Sequence, residues 1–296
     1  MEQEVYDNYV KAGKVIARVE AEARKKLKPG AKILDIAESI ETGIMDGGAQ
    51  PAFPVNISIN EVAAHQTPTH DDTRVIGEGD LVKIDIGAHV DGYIADRAFT
   101  YCSEENPLIK SVEKALDRAI KIIKSGLRIS EIGTMIEKSV KDDGLGLIVN
   151  LTGHGLGRYK FHGDYSIPMI KNDNSQVLRE GEVIALEPFV LEAAGHVKEA
   201  ESSVEIFRYL QDRPVRLLEA RVILGMAREE YGSLPFAKRW LVKRFPPVKV
   251  SLALKQLQAV NAIEKYAPLR EIMNRPIAQA EHTIIVAREP VVTTQG

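Results

Sequence analysis

The chain has one cysteine, Cys102, in 296 residues. No disulfide can form within it, which suits a reducing compartment. It has no apolar run of about 18 residues, so no segment is long enough to cross a membrane as a helix. Charge of one sign is also scarce. With 39 Lys and Arg against 42 Asp and Glu, the formal charge is -3, which gives no general reason to expect nucleic acid or an anionic membrane as a partner. The first residues, Met1-Glu-Gln-Glu4, are acidic and lack an apolar core, which argues against a signal peptide and for the cytoplasm. What is present is ordinary for a soluble globular protein: 44% hydrophobic and 27% charged residues. The length allows a single domain with a large core.

The most informative stretch runs from Gly79 to Thr100. Two short apolar segments flank a turn at His89–Gly92, where Asp91-Gly92 is a strong hairpin signal. Each segment carries one buried-looking aspartate: Asp85 between Ile84 and Ile86, and Asp96 just after Ile94-Ala95. A hairpin folded about Val90–Asp91 puts Asp85 and Asp96 directly opposite each other, whereas a bulge at Gly92 shifts the pairing. Two such carboxylates repel and are costly to desolvate, so they must share either a proton or cations.

Upstream, residues 3–27 read as an amphipathic helix with Tyr6, Val10, Val15, Ile16 and Val19 on one side, and 35–46 as a second helix. Residues 56–60 alternate like a strand. Downstream, 107–125 and 130–142 read as helices, the latter with Ser130 as its N-cap, and 147–152 as a buried strand leading into Gly153-His154-Gly155. The octapeptides Glu78-Gly-Asp-Leu-Val-Lys-Ile-Asp85 and Glu180-Gly-Glu-Val-Ile-Ala-Leu-Glu187 match at an offset of 102 residues. This suggests an internal duplication in which each half brings a carboxylate strand to a shared centre. A last apolar strand with one embedded acid follows at Gln279–Val286. Between them, about 205–272 reads as a mainly helical subdomain: 215–231, 235–244 and 252–266. Its basic run Lys238–Lys249 is either a solvated helix face or a contact for a polyanion such as RNA. His70 and His89 fall in turn-like stretches and are expected at the surface.

Five residues stand out: Asp85, Asp96, His154, Glu187 and Glu281. Singly, each has an ordinary explanation: a loop histidine, a strand end, a lysine partner. Together, four carboxylates in one place cannot stay ionised without cations, and two divalent ions supply the matching charge. Oxygen-rich ligation with one imidazole suits Mn, Fe or Co, with Zn also admissible, and a pair of such ions is a hydrolytic arrangement. His65 and His162 have no ligand spacing but can donate to, or orient, a bound substrate.

Asn60–His65, Lys83–Gly87, Ile94–Asp96, Gly153–Gly155, Glu187–Phe189 and Gln279–Thr283 together closely resemble the methionine aminopeptidase family. The helical insertion before Glu281 resembles the type 2 form, and the absence of an N-terminal extension the archaeal members. The resemblance covers essentially the whole chain. It implies an α/β (α+β) pita-bread fold, one catalytic domain over 1–296 with pseudo-twofold duplication and the insertion at about 205–272. It also implies a dinuclear site with Asp85, Asp96, His154, Glu187 and Glu281 as metal ligands. His65, His162 and Glu187 become catalytic residues, His65 and His162 also touching substrate, with Phe53, Phe161 and Tyr266 lining the methionine pocket.

The expected reaction is hydrolytic removal of the initiator methionine from nascent chains with small second residues, by a monomer in transient contact with the ribosome. In this reading His162 stabilises the oxyanion, His65 holds the substrate near the scissile amide, and Glu187 passes the proton to the leaving amine. Two rivals stand beside it. One is an X-Pro peptidase of the same fold, whose chains carry a preceding domain, whereas only about 50 residues precede the core here. The other is a non-catalytic relative that binds RNA or protein.

Overall fold

The computed structural model describes residues 1–200 and 204–295. Helix α1 (Gln3–Arg24) buries Tyr9, Ala12, Ile16, Val19 and Ala23, spaced to make one apolar stripe. Tyr6 and Val10, expected on that stripe, are only half-buried. Helix α2 (Ile33–Asp46) packs beside it. Together they cover strands β1 (Asn56–Ile59), β2 (Val82–Val90) and β3 (Tyr93–Tyr101) through one hydrophobic cluster.

The β2–β3 hairpin differs from the expected register. Val90 pairs with Tyr93, so Asp91-Gly92 alone makes the turn. Both turn residues have positive φ, 50° and 83°, as a two-residue type I′ turn requires. Asp85 therefore faces Ala98, and Asp96 faces Gly87. The slip is two residues, which preserves the face, so the two aspartates remain diagonal neighbours on one side of the hairpin. His89, expected at the surface, is half-buried, and its Nδ1 accepts from the Gly92 N–H at 3.1 Å.

The second half repeats the helix pair. In α3 (Pro107–Ile120), Asn106 accepts from the Leu108 N–H and proline starts the helix. In α4 (Ile129–Asp142), Ser130 is not the cap; Arg128 holds that place, and the Glu131 carboxylate accepts from its N–H at 3.1 Å. A serine cap is superfluous, because the first free donors, Ile129 and Ser130 N–H, already reach Gln176 O and Asn174 O.

Strand β4 (Thr152–Leu156) pairs with β5 (Val183–Leu186). The expected strand over 147–152 is broken by a turn at 149–150. The chain then leaves for the insertion and returns as β8 (His282–Ile285) on the other side of β5.

The insertion is less helical than its composition suggests. Strand β6 (Ile206–Tyr209) lies between β7 (Ile263–Tyr266) and Pro235–Ala237 in a three-stranded antiparallel sheet. Helices α5 (Leu218–Met226), α6 (Lys238–Val242) and α7 (Pro247–Ala259) pack on it around Phe207, Phe236, Leu241 and Leu254. The ends of 235–244 and 252–266 are thus strands. The β-branched and aromatic residues that favour pairing sit where a partner strand is available.

The duplication is visible in hydrogen bonds. In the first half Gly30 N–H bonds Ile76 O, Ile76 N–H bonds Ala31 O, and Ile33 N–H bonds Arg74 O. In the second half Gly126 N–H bonds Leu178 O, Leu178 N–H bonds Leu127 O, and Ile129 N–H bonds Gln176 O. Residues 74 and 76 become 176 and 178, the same offset of 102 that relates the two octapeptides. The octapeptides also start alike: Asp80 accepts from Gly77 N–H and Glu182 from Arg179 N–H, with Gly79 and Gly181 both at positive φ.

Candidate active site

The carboxylates converge because the two halves meet at matching strand ends. His154 pairs with Ala185 on β5, Glu187 follows β5 directly, and Glu281 immediately precedes β8. Three side-chain and backbone links stitch this edge to the hairpin. Glu281 N–H donates to Ala98 O at 2.8 Å. The Thr283 hydroxyl accepts from Asp96 N–H at 2.7 Å and donates to Asp96 O at 2.9 Å. The Thr100 hydroxyl donates to Gln279 O and accepts from Gln279 N–H. Arg97 adds a bond to Glu281 O at 2.7 Å and an ion pair with Glu20 of α1.

The result is a buried acidic cluster. Ligating atoms of Asp96, His154 and Glu281 lie within 4.8 Å of one another. His154 Nε2 is 3.8 Å from Asp96 Oδ2 and 3.5 Å from Glu187 Oε1. Asp85 lies diagonally across the hairpin from Asp96, close enough for the two carboxyls to influence each other's charge. Burial pushes Asp85 up to about 7. Burial first, then Glu281 and Asp85, raises Asp96 well above the carboxylate range. Burial, Asp96 and Asp85 do the same to Glu187, and burial, Glu187 and Asp85 to Glu281.

Two features fit this cluster to divalent cations. Asp85 Oδ1, Asp96 Oδ1 and Glu281 Oε1 are buried with no hydrogen-bond partner, which is costly unless something charged meets them. His154 Nδ1 lies 3.2 Å from Gly155 O, a contact that places its N–H there and leaves the Nε2 lone pair toward the carboxylates. Burial, with His162 nearby, lowers His154 to about 3, so it stays neutral and ligand-competent. Hard oxygens with one imidazole are the donor set of Mn, Fe, Co or Zn, and no thiolate is near.

Aromatic rings border the cluster. Phe161 is 5.3 Å from His154, 4.7 Å from Phe53 and 4.4 Å from His162, between ring centroids. Phe53, Ile94, Leu156 and Leu234 form one apolar cluster with Phe161. The backbone of Gly87, opposite Asp96, makes room for this wall: a Cβ there would come within 2.1 Å of the Phe53 ring. His65 stands edge-on to Tyr266 at 5.3 Å, with Nδ1 3.3 Å from Ala267 O. Its φ of 61° puts it in the left-handed region, strain that recurs at functional positions. Burial, with His162 close enough to repel its charge, lowers His65 to about 4. All ten sequence-predicted residues thus fall in one region. Thr100, Thr283 and Arg97 were missed as positioning groups, although Thr283 stands inside a quoted motif.

The basic run Lys238–Lys249 is occupied internally. The Arg239 guanidinium is buried and paired with Glu41, Lys243 is 2.7 Å from Glu38, Arg244 2.7 Å from Glu230, and Lys249 2.6 Å from Glu219. Lys238 is 3.6 Å from Glu205. These cations close the molecule on itself.

Comparison with known proteins agrees with this geometry. The model of metallopeptidase family M24 matches residues 7–219. The chain is 48% identical to the methionine aminopeptidase of Thermococcus onnurineus, over 95% of this chain and 96% of that one. Among solved structures, it is similar to a thermophilic Arx1 with TM-score 0.87 and 18% identity, covering 100% of this chain and 92% of that one. It is also similar to the Thermotoga maritima methionine aminopeptidase with TM-score 0.73 and 23% identity, covering 100% and 98%. At such identities the structural likenesses carry the fold alone.

Proposed function

The chain belongs to metallopeptidase family M24, and on that premise we propose that it hydrolyses the peptide bond after the initiator methionine of newly made proteins. The observation that carries the reading is the convergence of four carboxylates, Asp96 and Glu281 buried and Asp85 and Glu187 half-buried, with a neutral histidine beside the Phe53 and Phe161 rings. Asp85, Asp96, His154, Glu187 and Glu281 would hold two divalent ions of the Mn, Fe or Co kind, with Zn admissible. When bound, such ions lower the pKa of water and polarise a carbonyl.

The chain's own residues supply the rest. Phe53, Phe161 and Tyr266 enclose the methionine side chain and exclude water. His162 donates toward the developing oxyanion, and His65 holds the substrate beside the scissile amide. The Glu187 carboxylate, made basic by its burial among other acids, takes the proton of the attacking water and gives it to the leaving amine. The enclosed pocket accepts a linear thioether, and only a small second residue fits beside it. The protein works as a cytoplasmic monomer, with a transient ribosome contact.

The test is peptide cleavage by the purified protein loaded with Mn or Co. A Met-Gly peptide is cleaved, a Met-Lys peptide is not, and Met-Ala is strongly preferred over Ala-Pro. Absence of cleavage with every first-row divalent ion would overturn the reading, and preference for Ala-Pro would favour the X-Pro peptidase.

A further inference from the structure

A cleft of about 390 Å³ opens beside His65, lined by Gln66, Thr69, Asp71, Thr73 and Glu205. His65 is shared between two spaces: its ring faces Tyr266 of the candidate methionine pocket, and it also lines the cleft. A substrate whose first side chain fills that pocket, with its amine at the carboxylates, is closed in by Phe53 and Phe161. Its remaining chain leaves past His65.

We propose that this cleft seats the residues after the scissile bond, and that it favours a basic residue at the third or fourth position of the substrate over an acidic one. The inference rests on the aminopeptidase reading above. An extended chain advances about 3.3–3.6 Å per residue, so two or three residues suit a cleft of this size.

The walls are made for a polar chain. Gln66 lines the cleft with a half-buried amide side chain. The threonines offer hydroxyls, and no large apolar side chain lines the cleft. The floor is fixed: Gln66 O accepts from Ile57 N–H at 2.7 Å, and the Thr67 hydroxyl donates to Val55 O at 2.7 Å while accepting from the buried Arg239 guanidinium.

The charge balance is acidic. Asp72 is spent on Arg74 at 2.6 Å. Glu205 is largely buried, and the basic groups near it are Lys238 at 3.6 Å, His70 and the Arg239 guanidinium. The Asp71 side chain is 74% exposed, and its neighbours are the Thr69 hydroxyl at 2.9 Å and His70 at 3.5 Å. A substrate lysine therefore meets one largely uncompensated carboxylate and one half-compensated one, while a substrate glutamate meets repulsion. At such partly exposed sites the effect is about 3- to 10-fold and weakens with salt.

The metal-loaded protein is assayed on Met-Gly-Lys, Met-Gly-Gln and Met-Gly-Glu peptides at low and high ionic strength. The expected order of kcat/KM is Lys, then Gln, then Glu, with about 3- to 10-fold between the extremes at low salt, carried mainly by KM and shrinking at high salt. Asp71→Asn, at an exposed side chain whose amide oxygen can still accept from the Thr69 hydroxyl, narrows the Lys-to-Glu ratio, and Glu205→Gln narrows it too. Equal cleavage of the three peptides at low salt, or a ratio unmoved by both variants, overturns the cleft assignment alone. Failure to cleave any of them refutes the aminopeptidase reading itself, and this inference with it.

Discussion

At the residue scale, Asp96 lies at the centre of the acidic cluster, diagonal to Asp85 and within reach of Glu281 and His154. Its replacement has two opposite consequences. Asp96→Asn should cost at least about 100-fold in turnover, with bound metal falling by elemental analysis, because ligand loss exceeds the 10- to 100-fold effect of an outer partner. The metal-free variant should nevertheless melt higher than the metal-free parent, by about 2–4 °C per kcal/mol of repulsion relieved. A calorimetric scan of both proteins without metal reads this directly. The four candidate carboxylates stood out in the sequence because an acid inside an apolar strand is expensive and demands a reason, and His154 because it stands between two glycines at the end of an apolar run. Thr283, Thr100 and Arg97 did not, because hydroxyls and guanidinium groups are common in half-buried strands. Their partners Asp96, Gln279 and Glu281 lie about 180 residues away along the chain, a separation no local pattern reports.

At the scale of elements, the hairpin shows what turn chemistry adds to periodicity. Alternation placed Asp85 and Asp96 on one face, but the turn decided which residues face each other. Asp91-Gly92 as a two-residue loop sets Gly87, not Asp85, against Asp96. That glycine has a use of its own, because Phe53 lies where its Cβ would be. Gly87→Ala should displace Phe53 and raise KM for methionyl peptides several-fold or more, with far less change in metal content. Equal KM in the two proteins would refute the contact. On the same strand Lys83 is buried, and its Nζ donates to Asn60 O, Leu81 O and Ile277 O at 2.9, 3.3 and 3.0 Å. Lys83→Met strands these carbonyls and should cost about 1–3 kcal/mol in denaturant unfolding. The insertion was the element least legible: its helices were recognisable, but β6, β7 and Pro235–Ala237 are short strands that exist only because they pair with one another across up to 60 positions.

At the scale of the molecule, a buried ion pair helps to fasten the insertion to the first half. Arg239 of α6 meets Glu41 of α2 and the Thr67 hydroxyl, and Trp240 Nε1 donates to the same carboxylate at 2.9 Å. Arg239→Ala leaves Glu41 buried without its cation and should cost about 3–5 kcal/mol. Lys243→Ala, removing a half-exposed pair with Glu38, should cost no more than about 1 kcal/mol. Chemical denaturation of the two variants compares them. The run Lys238–Lys249 looked uniform in the sequence because charge alone does not tell a buried anchor from a solvated face.

Acid should loosen a different joint. Burial raises Glu271, but Arg275 and the Met273 and Arg275 N–H groups outweigh this and hold it below the usual carboxylate range. A depressed pKa contributes stability above the unfolded value of about 4.3 and loses it as pH falls through the folded one. The parent should therefore lose stability below about pH 4.3 more steeply than Glu271→Gln, measured as melting temperature against pH.

The repeated 30–76 and 126–178 latches close each half on itself, yet neither half owns a complete ligand set. Under the ligand assignment proposed here, the donors are synthesised in the order 85, 96, 154, 187 and 281. The last donor arrives only with β8, after the whole insertion has been made. A chain cut anywhere between Glu187 and Glu281 therefore carries at most four of the five donors, however well its first half is latched.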